Sequence, residues 1–499
     1  MSQIKALYFN NYRIFEKENH FDLTPINFLI GPNSSGKSSI FKALLLLKSN
    51  VTNDLQILDF SNTKHNLGSF DNTINKNCKT ESLTFGFEAT INDMFQYSYN
   101  KLSFTTRRSL YNILIEDGEK EVSLKIFLTY TKNDTSGKLR IIEMFKETDE
   151  KSFFKLEIGN PQDDYHKLYF NHNIVVKNKV LSEIFIKSVV RDKHTLEKNV
   201  DNLNYKTSVN LKVNDNKISK YYDEPILVFS YLYDKFIENN VKLSINKEIH
   251  RYLKGMPLRR ILKDFSSLLE NTEYIEAVRA NTKRLYTNDS QGTSFNELIL
   301  EYRSRDISDA SVNFMSKWLQ KFEIADEVVF ENIEGVANTV SLVKNNEKIA
   351  LADLGYGITQ FLPIIMRISL EEPIKKRLYN VVKKTILLEE PETNLHPKLQ
   401  SLLADFLVDA IKTFEIRLIV ETHSEYIIRK MQILTAEKKI SPKETSIYYF
   451  NNPNDKPLNQ IIKVDIQENG ALSDGFGDGF YDEATELKYQ LLKYKNSSK

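Results

Sequence analysis

The chain has 499 residues, 41% of them apolar and 27% charged, an ordinary globular balance with material for roughly two to four domains. Lys and Arg total 68 against 67 Asp and Glu, so global charge selects no nucleic-acid or acidic partner and any basic surface must be local. A single cysteine, Cys78, excludes a disulfide framework and a cysteine-rich metal site and fits a reducing cytoplasm.

The first residues enter a strand pattern at once, without the apolar segment of a secretory signal, and no apolar run approaches the ~18 residues of a membrane span. Ile4–Phe9 reads as a strand and Asn11–Phe15 as a turn into a second. Ile26–Ile30 reads as a short buried strand, followed by Gly31-Pro32-Asn33-Ser34-Ser35-Gly36-Lys37-Ser38 and an apolar helix from Ser39 to Leu47. That octapeptide fits G-x-x-x-x-G-K-[ST], the phosphate-cradling P-loop, in the strand–loop–helix setting the motif needs. Its glycines let the backbone turn so that successive N–H groups face an anion, and the helix N-terminus adds its dipole. Gly31 to Ser38, with Ser39, are therefore the candidate ATP-binding residues. Lys37 is suited to the β/γ-phosphates and Ser38 to Mg2+.

A polar stretch from Ser49 to Thr80 follows, including Leu67-Gly68-Ser69-Phe70-Asp71, read as a surface turn or one that approaches the nucleotide. From Glu81 to about Asn160 the pattern has period two: Ser82–Ala89, Ser109–Ile115, Val122–Leu128 and Lys138–Phe145 alternate between polar turns, a run of antiparallel hairpins. Between about Leu181 and Leu269 the period becomes helical, as in Ile226–Ile237 and Leu258–Leu269. Pro225 and Gly255-Met256-Pro257 break these helices, which argues against a long coiled-coil arm. Basic clusters at Arg107-Arg108, at Arg259-Arg260 with Lys263, and at Arg279 with Lys283-Arg284 are solvated faces or nucleic-acid contacts. Tyr274–Asn281 reads as a strand returning to the core.

Asp353-Leu354-Gly355-Tyr356-Gly357-Ile358-Thr359-Gln360 forms a second Gly-rich turn before the helical pattern Phe361–Ile368, with Gly355, Gly357 and Thr359 as anion-binding candidates. Thr385-Ile386-Leu387-Leu388-Glu389-Glu390-Pro391-Glu392 reads as a buried strand ending in carboxylates. Glu389 is the candidate metal carboxylate, directly or through water, and Glu390 the candidate general base. Asn394-Leu395-His396-Pro397 and an amphipathic helix Lys398–Lys412 come next. Another buried strand, Ile416–Glu421, ends in Thr422-His423-Ser424-Glu425, where His423 can sense or hold a γ-phosphate.

Taken together, these motifs resemble an ABC-type AAA ATPase of the SMC/RecF/OLD group, split by a large insert. Gly31–Ser38 matches its Walker A and Ile386–Glu390 its Walker B. Leu354–Gln360 resembles a divergent signature motif, Leu395-His396-Pro397 a D-loop, and Thr422-His423-Ser424 the switch-histidine segment. The match covers about residues 1–70 and 345–450. The chain resembles the ATPase subunits of bacterial anti-phage systems such as Septu and PARIS, which work with a separate nuclease or toxin. Its tail, Asp474–Asp482, also resembles theirs.

The resemblance implies an α/β fold: a P-loop ABC-type ATPase head assembled from both chain ends, with a mixed β-hairpin and helical insert. Residues 1–80 would form the N-terminal lobe, 81–170 an antiparallel β-rich segment, 171–344 a mainly helical insert and 345–499 the C-terminal lobe. It further implies a cytoplasmic protein with no membrane partner, a homodimer or higher homo-oligomer in which the signature turn of one subunit completes the P-loop of the other. The function implied is an ATP-driven switch that senses infection, through DNA or a phage protein, and controls a separate nuclease or toxin effector. Alternatives are a DNA-repair or DNA-binding ATPase of SMC/RecF type and an OLD-type nuclease. The stretch after His423 is shorter than a fused Toprim nuclease needs, which disfavours the last.

Overall fold

Runs of Ile, Leu, Phe and Val without polar alternation suit strands covered on both faces, and three such runs are neighbouring strands of one six-stranded sheet. The computed structural model describes residues 3–53, 55–61, 66–78, 80–92, 121–146, 154–157, 165–170, 207–212, 265–277, 284–287, 294–333, 337–371, 382–451, 460–476 and 483–497. In chain order the elements begin with β1 (Gln3–Asn10), β2 (Asn19–Asp22), β3 (Ile26–Ile30), α1 (Ser39–Ser49), β4 (Ile57–Leu58) and α2 (Phe70–Thr73). Then come β5 (Ser82–Asn92), β6 (Glu121–Asn133), β7 (Ser136–Lys146), β8 (Phe154–Glu157), β9 (Tyr165–Phe170), β10 (Thr207–Lys212), β11 (Thr272–Ile275) and β12 (Tyr286–Thr287). Next are α3 (Ser294–Ser304), α4 (Asp309–Lys321), β13 (Glu327–Ile333), β14 (Ala337–Lys344), β15 (Glu347–Ala350), α5 (Tyr356–Ser369) and β16 (Thr385–Glu389). The chain ends with α6 (Pro397–Phe414), β17 (Arg417–Glu421), α7 (Glu425–Ala436), β18 (Thr445–Phe450), β19 (Ile461–Val464) and α8 (Glu483–Ser497).

These elements fall into two compact units. The first comprises Met1–Leu23, Ser39–Asn271 and Tyr379–Lys383, the second Thr24–Ser38, Thr272–Leu378 and Lys384–Lys499. The expected hairpins at Ser82–Ala89, Val122–Leu128 and Lys138–Phe145 lie in β5, β6 and β7 of the first unit. There an antiparallel sheet runs β10-β9-β8-β7-β6-β5-β1-β2, with β4 paired to β7. Alternation sets its buried face: Leu124, Ile126, Leu128 and Tyr130 of β6 all point inward. Phe9 stacks on Phe15 at 5.2 Å between ring centroids and meets Phe21 at 5.7 Å, an aromatic centre under β1 and β2. Phe70 of the 67–71 turn is buried in α2, its N–H bonded to the Thr135 carbonyl of the β6–β7 turn at 2.9 Å. Ser109–Ile115, Ile226–Ile237, most of Leu258–Leu269, and the basic residues Arg107, Arg108, Arg259, Arg260, Lys263, Arg279 and Lys283 lie outside the described residues.

The second unit holds a six-stranded sheet in the order β11-β16-β17-β3-β18-β19, parallel except for β19. Of the expected returning strand Tyr274–Asn281, Tyr274 and Ile275 lie in β11, beside β16. Ile386, Leu387 and Leu388 of β16 and Leu418 and Val420 of β17 are fully buried, each contributing about 1.5–3 kcal/mol over an exposed position. The described residues of the segment 171–344, expected to be a mainly helical insert, supply β10–β14 as well as α3 and α4. β12, β13, β14 and β15 form a separate antiparallel sheet, in which Asn345 and Asn346 close the β14–β15 hairpin with φ of 51° and 66°. Aromatic rings knit α4, α5 and α6 together: Phe322, just past α4, lies 4.3 Å from Phe361, and Trp318 meets Phe406 edge-on at 5.3 Å.

One ionic hub ties α5 to the start of the acidic strand. The Arg367 guanidinium contacts Glu301 at 2.6 Å and Glu371 at 3.1 Å, and also pairs with Glu273 of β11; Lys384, just before β16, pairs with Glu273 and with Glu371 at 3.3 Å. Arg367 is 10% exposed at its side chain, so its removal leaves three carboxylates short of a cation in a poorly solvated site. Arg367→Met should lower unfolding stability by about 3 kcal/mol, measured by urea denaturation; a loss within experimental error would show the hub to be solvent-screened.

Candidate functional site

The P-loop leaves β3 through a position that only glycine can occupy. Gly31 has φ of 143°, and a Cβ there would lie 2.3 Å from the Phe450 carbonyl oxygen. Ser34 at φ 61° and Gly36 at φ 98° complete the loop. Pro32, Asn33 and Ser34 are exposed, whereas Ser35 and Lys37 are buried. The Lys37 ammonium donates to the carbonyls of Gly31 at 3.1 Å and Pro32 at 2.8 Å, two of the three bonds it can make. Ser39 opens α1 directly after the loop. Asn27 pins the strand behind it, donating to the carbonyls of Thr24 at 2.7 Å and Leu418 at 3.1 Å.

Parallel pairing then brings the acidic strand ends alongside. β17 adjoins β3, with Glu421 opposite Leu29, and β16 adjoins β17, with Glu389 opposite Glu421. The Ser38 hydroxyl donates to Glu421 Oε1 at 3.0 Å. Glu389 accepts a hydrogen bond from the Tyr274 hydroxyl of β11. Glu390 turns off the strand with φ of 41°, its N–H held by the Glu421 carbonyl at 2.8 Å. Its carboxylate accepts from Thr393 Oγ1 at 3.2 Å and stands 3.9 Å from His423 Nε2. The His423 N–H donates to buried Glu392 at 2.7 Å. Ser424 caps α7 and donates to Gln400 of α6 at 2.7 Å.

Burial governs the protonation of this cluster. It lowers the pKa of Lys37 against the pull of Glu421 and Glu390, and it raises Glu392 against the His423 N–H. Burial, and then the Lys37 charge, also lower His423 against the pull of Glu390, and so favour its neutral imidazole. Glu421, 5% exposed, is pushed up to about 7 by burial, even though the Ser38 hydroxyl and Lys37 favour its ionised form.

The second Gly-rich turn lies at a helix N-terminus, and that helix starts earlier than the expected Phe361. A short 3-10 turn covers Leu351–Asp353, and α5 begins at Tyr356 with Gly355 as its N-cap. Gly357 and Thr359 thus lie within the first helical turns, because the local apolar packing outweighs the helix cost of one glycine. Gly355 meets nothing within 4 Å of a built Cβ, whereas at Gly357 a Cβ would lie 2.7 Å from the Asn394 carbonyl. Helix α5 and the Asn394–His396 turn therefore pack at glycine distance. Thr359 is buried, and exposed Arg284 pairs with Asp353 at 2.7 Å.

Within the second unit Lys37, Ser38, Glu389, Glu390 and His423 come together at the carboxyl ends of β3, β16 and β17, the usual ligand-binding edge of a parallel sheet. Glu421 and Tyr274 were not among the candidates. A signal for Glu421 was available: Leu418-Ile419-Val420-Glu421 repeats the pattern of Ile386-Leu387-Leu388-Glu389, an apolar run ending in Glu. Because the folded-state pKa of Glu421 is raised from 4.5 to about 7, its contribution to stability is complete below the lower value and lost as pH rises through the upper. Glu421→Gln should abolish that loss, gaining on the wild type by on the order of 2 kcal/mol between about pH 5 and pH 8. Urea titrations in EDTA without nucleotide measure it; parallel pH profiles would contradict the buried carboxyl.

Comparison with known proteins places this site in a family. A family model described as an AAA ATPase domain matches residues 3–428, and one described as a protein of unknown function matches residues 440–491. Endonuclease GajA of Bacillus cereus (strain HuB5-5) is 25% identical over 269 residues, covering 51% of this chain and 37% of that protein. The chain thus spans well under half the length of that curated relative. Among solved structures, an SMC head domain from Thermotoga maritima is 10% identical with a TM-score of 0.35, covering 93% of this chain and 99% of that one. An Smc head domain with an extended coiled coil bound to the C-terminal domain of ScpA, derived from Pyrococcus furiosus, is 11% identical with a TM-score of 0.35, covering 98% and 100%. Among the described residues no helix is long and apolar enough to cross a membrane. Matched over residues 3–428, the chain is an ATPase belonging to the AAA ATPase domain family, as its resemblance to SMC/RecF/OLD-type ATPases implied.

Proposed function

We propose that this ATPase binds ATP with Mg2+ on its P-loop, hydrolyses it slowly between two copies of the chain, and uses that cycle to control a separate nuclease or toxin in anti-phage defence. One observation carries the catalytic part: three neighbouring parallel strands lead into Lys37 and Ser38, into Glu421 and His423, and into Glu389 and Glu390. In this reading Lys37 exchanges its two loop carbonyls for phosphate oxygens, an ammonium's stronger partners. Glu390 accepts the proton of the attacking water, and neutral His423 orients the terminal phosphate.

The residues fit a magnesium ion. Ser38 presents a hydroxyl beside the Glu421 carboxylate, whose Oε2 is buried without a hydrogen-bond partner. Among the described residues no three His, Cys, Asp or Glu side chains make a metal cage, which suits an ion held by one or two carboxylates and completed by substrate phosphates. Bound there, Mg2+ would neutralise charge on the transferring phosphoryl group. Gly355, open at the N-cap of α5, is the point offered to the second copy. The likeness to an endonuclease supports a nuclease in the pathway; the division of labour between chains is this proposal's own.

Lys37→Ala should abolish ATP binding in calorimetry, and Glu390→Gln should bind ATP yet hydrolyse it on the order of 10²-fold more slowly. Normal affinity in the first variant would remove the P-loop role, and normal turnover in the second would shift the base to Glu389 or Glu392. Incubated alone with plasmid DNA and Mg2+, the purified chain should leave the DNA intact. Cleavage that survives Lys37→Ala would favour a nuclease within the chain.

A further inference from the structure

His423 and Ser424 lie between the end of β17 and the start of α7. Thr422, whose N–H reaches the Leu29 carbonyl at 3.1 Å, is the last residue of this segment tied to the sheet. Two side chains from elsewhere hold the next two residues. Glu392, 7% exposed, accepts the His423 N–H on Oε1 at 2.7 Å. Its Oε2 is buried without a hydrogen-bond partner, so one oxygen carries the contact. Gln400 of α6 accepts the Ser424 hydroxyl on Oε1 at 2.7 Å and donates from Nε2 to the Leu395 carbonyl at 2.9 Å.

Glu390, Glu392 and Leu395 belong to one tight turn, in which Thr393 N–H meets the Glu390 carbonyl and Leu395 N–H the Glu392 carbonyl, each at 3.0 Å. Both side-chain contacts therefore run from the His423 segment to the turn that carries Glu390. The direct approach of His423 Nε2 to Glu390, 3.9 Å between side chains 35% and 38% exposed, is too long and too solvated to set the alignment. The shorter, more buried bonds through Glu392 and Gln400 set it instead.

We propose that Glu392 and Gln400 are positioning residues that fasten the His423 segment to the Glu390 turn, so that imidazole and carboxylate meet the terminal phosphate in one fixed relation. The two contacts need different chemistry. Glu392 supplies one acceptor oxygen at a place where burial disfavours its charge, and an amide oxygen can replace it. Gln400 must accept from one partner and donate to the other, and a carboxylate there would set an oxygen against the Leu395 carbonyl. This assignment rests on the catalytic reading above and names what fixes its geometry.

The test measures ATP turnover and, separately, calorimetric affinity for a non-hydrolysable ATP analogue on the full chain. Glu392→Met should lower kcat about tenfold or more while keeping analogue affinity within about twofold of wild type, because misplacement penalises the chemical step. Glu392→Gln should recover most of that loss, and Gln400→Glu should reproduce it. Normal kcat in folded Glu392→Met overturns the proposal, and so does a loss of affinity as large as the loss of kcat. A Glu392→Gln variant no faster than Glu392→Met also overturns it, since the carboxylate itself would then be the catalytic group. If Glu392→Met does not fold, Gln400→Glu, at a half-buried helix position, decides by the same split of kcat from affinity. Failure of the wild type to bind the analogue at all would instead overturn the underlying ATP-binding reading.

Discussion

Parallel pairing of β3, β17 and β16 is the constraint on which the site depends. The register that sets Leu29 opposite Glu421 and Glu421 opposite Glu389 brings the P-loop and two acidic strand ends to one edge of the sheet. A slip of one residue in either pairing would turn these side chains to the opposite face. The register is held on both sides of β3. Asn27 bonds the Leu418 carbonyl of β17, and Gly31 passes the Phe450 carbonyl at a distance no larger residue tolerates. Apolar burial along these strands provides the stability, and the few polar contacts at their ends provide the alignment.

Concentrating charge at that edge is expensive, and the structure meets the cost locally. Lys37, Glu392 and Glu421 are all buried, and burial disfavours the charged form of each. Backbone groups and short polar bonds offset part of this: the His423 N–H on Glu392, the Ser38 hydroxyl on Glu421 and two loop carbonyls on Lys37. The hub around Arg367 performs a related service at the opposite end of β16, joining α5 to the entry of the acidic strand through Glu273, Glu371 and Lys384. Together they brace β16 at its start and its end.

The elements legible in the sequence were those encoded by contiguous chemistry. Ile26–Ile30, Ile386–Leu388 and Leu418–Val420 announce themselves as apolar runs because both faces are covered, and Gly31–Ser38 announces the loop because its backbone needs glycine. What escaped was encoded by tertiary pairing. Nothing near Glu421 indicates that it will meet a serine 383 positions away, and Tyr274 reads as one residue of a returning strand until β11 aligns with β16. Gly355 and Gly357 suggested a turn ahead of a helix at Phe361, yet α5 begins at Tyr356. Within 171–344, β11 and β13 are short, partly exposed runs that give little periodicity.

The central claim is that residues from both chain ends close on one nucleotide. It is tested most directly by a crystal structure with Mg2+ and a non-hydrolysable ATP analogue. The account predicts that Lys37 leaves the carbonyls of Gly31 and Pro32 for the phosphates, with Glu390 and His423 at the terminal phosphate. A nucleotide bound away from the P-loop, or phosphates on the loop with Glu390 and His423 turned elsewhere, would contradict it.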